Sequence, residues 1–234
     1  IMSLPVINVP TYELELPSSK ETIKYRPFLV KEEKLLLMAM EEDDEKQMIG
    51  AIRQIVNNCT FEQLEVPKMP MFDLEYVFLR IRSKSVGEVA SLKLLCDDDG
   101  KTYADVDIPL EEVEVQFQEK HTNIIDVTED IKVEMSYPTF EMVNNITRGN
   151  TKEVFDLIGK CVSKVIEGET VYERTDWTKK ELNTFLDSLS SQQFQDMQEF
   201  FETMPKLSYE VEYENPETKK KNKRTLEGMQ SFFA

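Results

Sequence analysis

Histidine is almost absent from this chain: His121 is the only one in 234 residues. The three cysteines, Cys59, Cys96 and Cys161, stand far apart and form no C-x-x-C pair. A structural zinc site needs four sulfur or nitrogen ligands, usually from two such pairs, so the chain cannot close a tetrahedral site. An odd cysteine count without a framework suits a reduced, intracellular protein. The seven glycines are scattered and build no phosphate-cradling loop. No apolar run is long enough to span a bilayer as a helix, and the first twenty residues lack the basic flank and apolar stretch of a signal peptide. Positive charge is also scarce. Against 45 Asp and Glu stand 28 Lys and Arg, a net charge of −17, which argues against nucleic acid and anionic membrane as partners.

What remains is a chain with enough apolar residues, 40%, to fold around a core. Residues 1–30 hold Pro5, Pro10, Pro17 and Pro27 between short extended runs. Proline blocks long helices and central strands, so this reads as an extended arm laid on the domain or on a neighbour. From Lys31 the pattern turns helical, with Met48, Ile52, Ile55 and Cys59 on one face, and “EEDDE” either breaks that helix or caps its second half. “MPMFDLEYVFLRIRSKS” predicts another helix, burying Leu74, Val77, Phe78 and Ile81. Leu92, Leu94 and Cys96, then Ala104, Val106 and Ile108, alternate as the two arms of a ribbon, and Ile131 to Tyr137 alternate as a strand. Asn150 with Glu153, Thr178 with Glu181 and Ser190 with Gln193 have capping-box spacing and mark three helix starts. The first of these helices is read through Val154, Leu157, Ile158, Cys161 and Val165. Leu207 to Tyr213 alternate into a second ribbon that turns at “NPET”. The fold class expected is α+β: mainly helical, with two small antiparallel β-ribbons, a weak internal duplication and an extended Pro-rich N-terminal arm. The expected domains are the arm, 1–30, a helical part with the first ribbon, 31–137, and a helical half with the second ribbon, 138–234.

The stretch “LKLLCDDDGKTY” is the most chemically suggestive. Placing Gly100 at the sixth position of a calcium loop puts Asp97 and Asp99 at ligand positions. Leu95 and Val106 then occupy the first and twelfth, where carboxylates must bind, so that reading fails. An Asp-Gly turn with Cys96 as a small core residue is the reading left. His121 sits in no nucleophile–base pattern and reads as a solvated loop residue, and no catalytic site is found. Two features suggest contacts instead. “KKKNKR” is the only cationic cluster, either a strand edge guarded by lysines or a surface for an acidic partner. The terminal Phe pair is core or an anchor. The candidate partner contacts are therefore Val6, Ile7, Val9, Tyr12, Leu14, Leu16, Tyr25 and Phe28 in the arm. Lys219, Lys220, Lys221, Lys223 and Arg224 in the basic run, and Phe232 and Phe233 at the end, complete the set.

Longer strings carry a resemblance. “YRPFLVKEEKLLLMA”, the helix ending in Asn58-Cys59, “MFDLEYVFLRIRSKSVGE” with its ribbon, and “FFETMPKLSYEVEY” leading to “LEGMQSFF” follow one another from Glu21 to the C-terminus. In this order the chain resembles the baseplate hub protein family of T4-type contractile-tailed bacteriophages. In such relatives the ribbons look like zinc-binding knuckles with C-x-x-C tips. Here the first tip keeps Cys96 and Asp99 and the second, at Asn215–Thr218, has no cysteine, so the resemblance carries no metal over. It implies degenerate knuckles held by turn chemistry and by packing on the preceding helix. It also implies a non-enzymatic component of the baseplate hub that binds other baseplate or hub proteins in tail assembly. Cofactor, nucleic acid, membrane and small-molecule substrate play no part in that role. The place implied is the host cytoplasm during assembly and then the virion tail baseplate. One alternative is a transient hub assembly chaperone absent from the mature virion. A further alternative is a metal- or nucleic-acid-binding protein on degenerate zinc ribbons.

Overall fold

A computed structural model describes residues 7–41, 45–144 and 151–232. The chain opens with strands β1 (Tyr12–Glu15) and β2 (Thr22–Tyr25), then helices α1 (Val30–Glu41), α2 (Glu45–Cys59) and α3 (Met71–Val86). Strands β3 (Val89–Leu95), β4 (Tyr103–Pro109), β5 (Glu114–Gln116), β6 (Ile124–Asp126) and β7 (Ile131–Met135) follow. Next come α4 (Phe140–Asn144), α5 (Thr151–Cys161), β8 (Val162–Glu167) and β9 (Thr170–Glu173). The chain finishes with α6 (Lys179–Asp187), α7 (Ser191–Thr203), β10 (Lys206–Glu214) and β11 (Lys221–Glu227). Among the described residues these are seven α-helices and eleven strands in four sheets. The expectation of a mainly helical chain with two ribbons is therefore overturned: the fold is an α+β mixture in which strands form four sheets beside the helices. Several of the missed strands are only three or four residues long, too short for alternation to register.

Two compact units result. One joins the chain up to Gln116 with the part from Lys206 onward, and the other is Phe117–Pro205. Both ribbons, β3–β4 and β10–β11, lie in the first unit, while α7 lies in the second. The helix-then-ribbon order that suggested a duplication thus does not fold into two equivalent halves.

The first unit packs around α3. Leu74, Val77, Phe78 and Ile81 are buried as the spacing predicts, but Phe72, Leu79 and Arg80 are buried too. Arg80 donates to the carbonyls of Leu110 (2.6 Å) and Val113 (2.8 Å) and to the Glu114 carboxylate (2.6 Å). A rigid five-donor fork suits this task, and it fastens the run leading into β5 onto α3. The proline-rich start is not an extended arm. Tyr12 to Glu15 pair antiparallel with Thr22 to Tyr25, and Leu14, Leu16, Ile23 and Tyr25 are buried. The prolines punctuate this hairpin: Pro10 precedes it, Pro17 opens its turn and Pro27 follows it. The turn is anchored where Ser18 donates its N–H to Asp73 at 3.1 Å and its hydroxyl to the same carboxylate. Beyond the hairpin, Arg26 is ion-paired with the buried Glu32 at 3.0 Å. Burial alone would raise the Glu32 pKa, but hydrogen bonds from Arg26 and from the Leu29 N–H hold it below the usual value. The helical stretch from Lys31 divides into α1, ending at Glu41, and α2, starting at Glu45, as the “EEDDE” run allows; positions 42–44 lie outside the described residues.

In the second unit, β6, β7, β8 and β9 form one antiparallel sheet in that order. The run from Val154 to Val165, read from sequence as one helix, ends its helix at Cys161 and enters β8 at Val162. β-Branched Val162, Val165 and Ile166 favour the strand, Val165 pairs with both Val133 and Tyr172, and Gly168 at φ 58° turns the chain. Helices α6 and α7 open with capping boxes at Thr178/Glu181 and Ser190/Gln193, as the spacing predicts. The Asn150 cap lies outside the described residues. Val133, Met135, Ile158, Cys161, Met197 and Phe200 form the centre of this unit's core.

A short 3₁₀ turn, Met229–Phe232, closes the first unit. Its Met229 N–H donates to Glu75 of α3, and burial pushes the Glu75 carboxyl up to about 7. A raised carboxyl pKa favours the fold below the ordinary pKa of the group, and that contribution is lost as pH rises through about 7. Glu75→Gln keeps the acceptor and cannot ionise. It should match the parent near pH 4 and exceed it by about 1–3 kcal/mol near pH 8 in urea unfolding.

Candidate functional site

The two ribbon tips are built alike. In the first, the Cys96 carbonyl accepts from Gly100 N at 2.9 Å and Cys96 N donates to Thr102 O at 2.7 Å, with Gly100 at φ 65°. In the second, the Asn215 carbonyl accepts from Lys219 N and Asn215 N donates to Lys220 O, both at 2.9 Å, with Lys219 at φ 63°. Each tip also holds itself with one side chain. Asp99 accepts from the N–H groups of Lys101 (3.1 Å) and Thr102 (3.0 Å) and from the Thr102 hydroxyl (2.6 Å). Asn215 Oδ1 accepts from Glu217 N at 2.9 Å and Thr218 N at 3.2 Å.

The fold then brings these tips face to face. Asp98 Oδ1 accepts from Nδ2 of Asn215 (2.9 Å) and of Asn222 (3.0 Å), and Asp98 Oδ2 accepts from the Thr218 hydroxyl at 2.6 Å. The Asp98 N–H returns a bond to Asn222 Oδ1 at 3.1 Å, Tyr213 donates its hydroxyl to Leu95 O at 2.8 Å, and Arg224 pairs with Asp97. Hydrogen bonds from Thr218, then Asn215, hold the Asp98 carboxyl below its usual range. The three aspartates therefore have three separate tasks: Asp97 binds Arg224, Asp98 spans the tips and Asp99 closes its own turn. The ribbons were expected to be held by turn chemistry and by packing on the preceding helix; each tip does close with its own turn bonds, and side chains also join the two tips to each other. Asn222, buried in the middle of the basic run, had no sequence signal beyond interrupting the lysines.

Metal-binding residues do not gather here. Among the described residues no group of three or more His, Cys, Asp or Glu is placed to hold an ion. Cys59, Cys96 and Cys161 are buried free thiols, and burial pushes Cys59 and Cys161 up to about 12, far from the thiolate that nucleophilic chemistry needs. His121 departs from the solvated residue expected. It is half-buried, stacked with Tyr137 and tilted on Phe200, the latter with ring centroids 5.2 Å apart. The Thr203 hydroxyl donates to Glu199 O, so it accepts from His121 Nδ1 at 3.0 Å; Nε2 is left to accept from the Tyr137 hydroxyl at 3.1 Å. Burial lowers the imidazole pKa, and the ring serves as a neutral packing element.

The candidate contacts divide by exposure. Leu14, Leu16, Tyr25 and Phe232 are buried in their own unit, and Val9, Tyr12 and Phe28 are half-buried. Ile7 is 85% exposed. Lys219, Lys220, Lys221 and Lys223 are exposed along and beside β11, the outer strand of the sheet β11-β10-β5. Val6 and Phe233 lie outside the described residues. The basic run is largely engaged at home: Lys223 pairs with Glu210 at 2.6 Å, Lys219 with Glu214 at 3.9 Å, and Arg224 with Asp97.

A family model described as T4 bacteriophage base plate protein matches residues 9–234. The chain belongs to that family. No curated protein and no solved structure matches it. For this base plate protein the match takes in both ribbon tips and the whole second unit.

The tip pairing is directly testable. Asn215→Ala leaves Asp98 short of a donor and two loop N–H groups without their acceptor, and should cost about 1–3 kcal/mol in urea unfolding. Excess EDTA should leave the melting temperature of the parent protein unchanged, because hydrogen bonds hold the tips.

Proposed function

We infer that this base plate protein is a non-enzymatic component of the hub region that binds other baseplate proteins during tail assembly. The observation that carries the reading is the family match over residues 9–234, which makes the chain a phage baseplate component. The placement of its chemically capable side chains supports a binding role. The buried thiols have raised pKa values, the lone imidazole is spent on Thr203 and Tyr137, and the aspartate triplet is spent on the tips. No described helix is long and apolar enough to cross a membrane. In this reading the protein works in the host cytoplasm during assembly and then in the virion tail. Of the contacts drawn from sequence, the exposed Ile7, Lys220 and Lys221 are the ones open to a partner.

Mass spectrometry of purified virions should detect the chain in constant ratio to other baseplate proteins. Its absence from particles, together with its presence on baseplate intermediates, would identify a transient assembly chaperone instead. Lys220→Glu with Lys221→Glu should change stability by less than about 0.5 kcal/mol while reducing co-purification with baseplate intermediates. Undiminished co-purification would remove Lys220 and Lys221 from the contact set.

A further inference from the structure

A groove of about 650 Å³ runs along α7 in the second unit, bounded by α5 and by the turn that joins α6 to α7. A strip of apolar side chains lies in its floor, within a lining that is polar for the larger part. Phe155, 47% exposed, stacks on Phe194 with ring centroids 4.6 Å apart, and Leu186 and Leu189 extend that floor. Its rim is acidic, with Asp187, Asp196, Glu199 and Glu202, and no Lys, Arg or His among the described residues that line it.

The position of Glu202 adds a second argument. It stands in the last turn of α7, which has no basic residue there. The carbonyl end of a helix carries partial negative charge and favours cations, so a carboxylate in that turn works against the free protein. A cation approaching that end would be favoured by the carboxylate and by the helix end together.

We propose that this groove receives a basic, amphipathic segment of another baseplate protein, its apolar side chains on Phe155 and Phe194 and its Lys or Arg on the carboxylate rim. The inference rests on the baseplate role given above. Helix-in-groove recognition combines an apolar stripe with complementary charge at the rim. A second copy of this chain is a poor occupant. Its net charge is −17, so two copies repel each other overall.

The test uses the full chain, produced during infection, with a photo-crosslinking residue in place of Gln195 on the groove wall. The expected product joins Gln195 to a Lys- or Arg-rich segment of a different tail protein, mapped by mass spectrometry. Glu199→Lys with Glu202→Lys should cut crosslinking and co-purification about tenfold or more. The same pair should keep or raise the melting temperature, because lysine suits the end of α7. Raising salt to about 300 mM should weaken association of the parent chain. The groove assignment is overturned if the double variant joins baseplate intermediates as well as the parent does. It is also overturned if the crosslinks land on a second copy or on residues 145–150 of the same chain. Those results would leave the baseplate role standing. If the parent chain itself joins no baseplate protein, the role fails and the groove assignment falls with it.

Discussion

The first unit depends on a joint between two turns that are 117 residues apart in sequence. Asp98 at the tip of β3–β4 takes three donors from the β10–β11 ribbon and its first flanking turn, and gives one N–H back. Between them the chain makes the whole of the second unit before Lys206 returns to pair β10 with β5. Closing so long a loop costs conformational entropy, and the pairing of Leu207 with Val115 and the tip bonds are what offset it locally. A carboxylate surrounded by amide and hydroxyl donors holds the two tips together. The buried Asn215 and Asn222 make the joint specific, since an amide must be satisfied on both its oxygen and its nitrogen.

The same logic recurs at the other polar anchors. Asp73 takes the first hairpin's turn through Ser18, Glu32 takes Arg26 and the Leu29 N–H, and Arg80 takes two carbonyls and Glu114. Each connects segments that apolar packing alone would leave free to slide, because hydrophobic contact is non-directional whereas these bonds are not. The price is that most polar chemistry in the first unit is internal. What remains available to partners is the acidic surface, the outer strand β11 and, in the second unit, the groove beside α7.

Legibility followed pattern length. The sixteen residues of α3 and the alternating β3, β4 and β10 were readable, since period and burial agree over several turns or pairs. Both described capping boxes were readable because their chemistry is local. The first hairpin was not: its four-residue strands sit among prolines, and prolines that mark the ends and the turn of a hairpin give the same signal as an extended arm. The continuation from Cys161 into β8 was missed because Val165 also fits a helical spacing, and only its partners Val133 and Tyr172 decide otherwise. The setting of His121 was not legible because its partners, Tyr137 and Thr203, are distant in sequence.

By itself the sequence determined the charge, the shortage of metal ligands, the helices with strong periodicity and the turn chemistry of both ribbon tips, because each is fixed by composition or by neighbours a few residues away. Tertiary structure alone decided that the two tips meet, that Asp97, Asp98 and Asp99 have different partners, that the proline-rich start is a buried hairpin, and that four carboxylates of one unit rim a groove holding the Phe155–Phe194 pair. Those outcomes depend on which distant segments share a surface. One-dimensional patterns carry no term for that proximity.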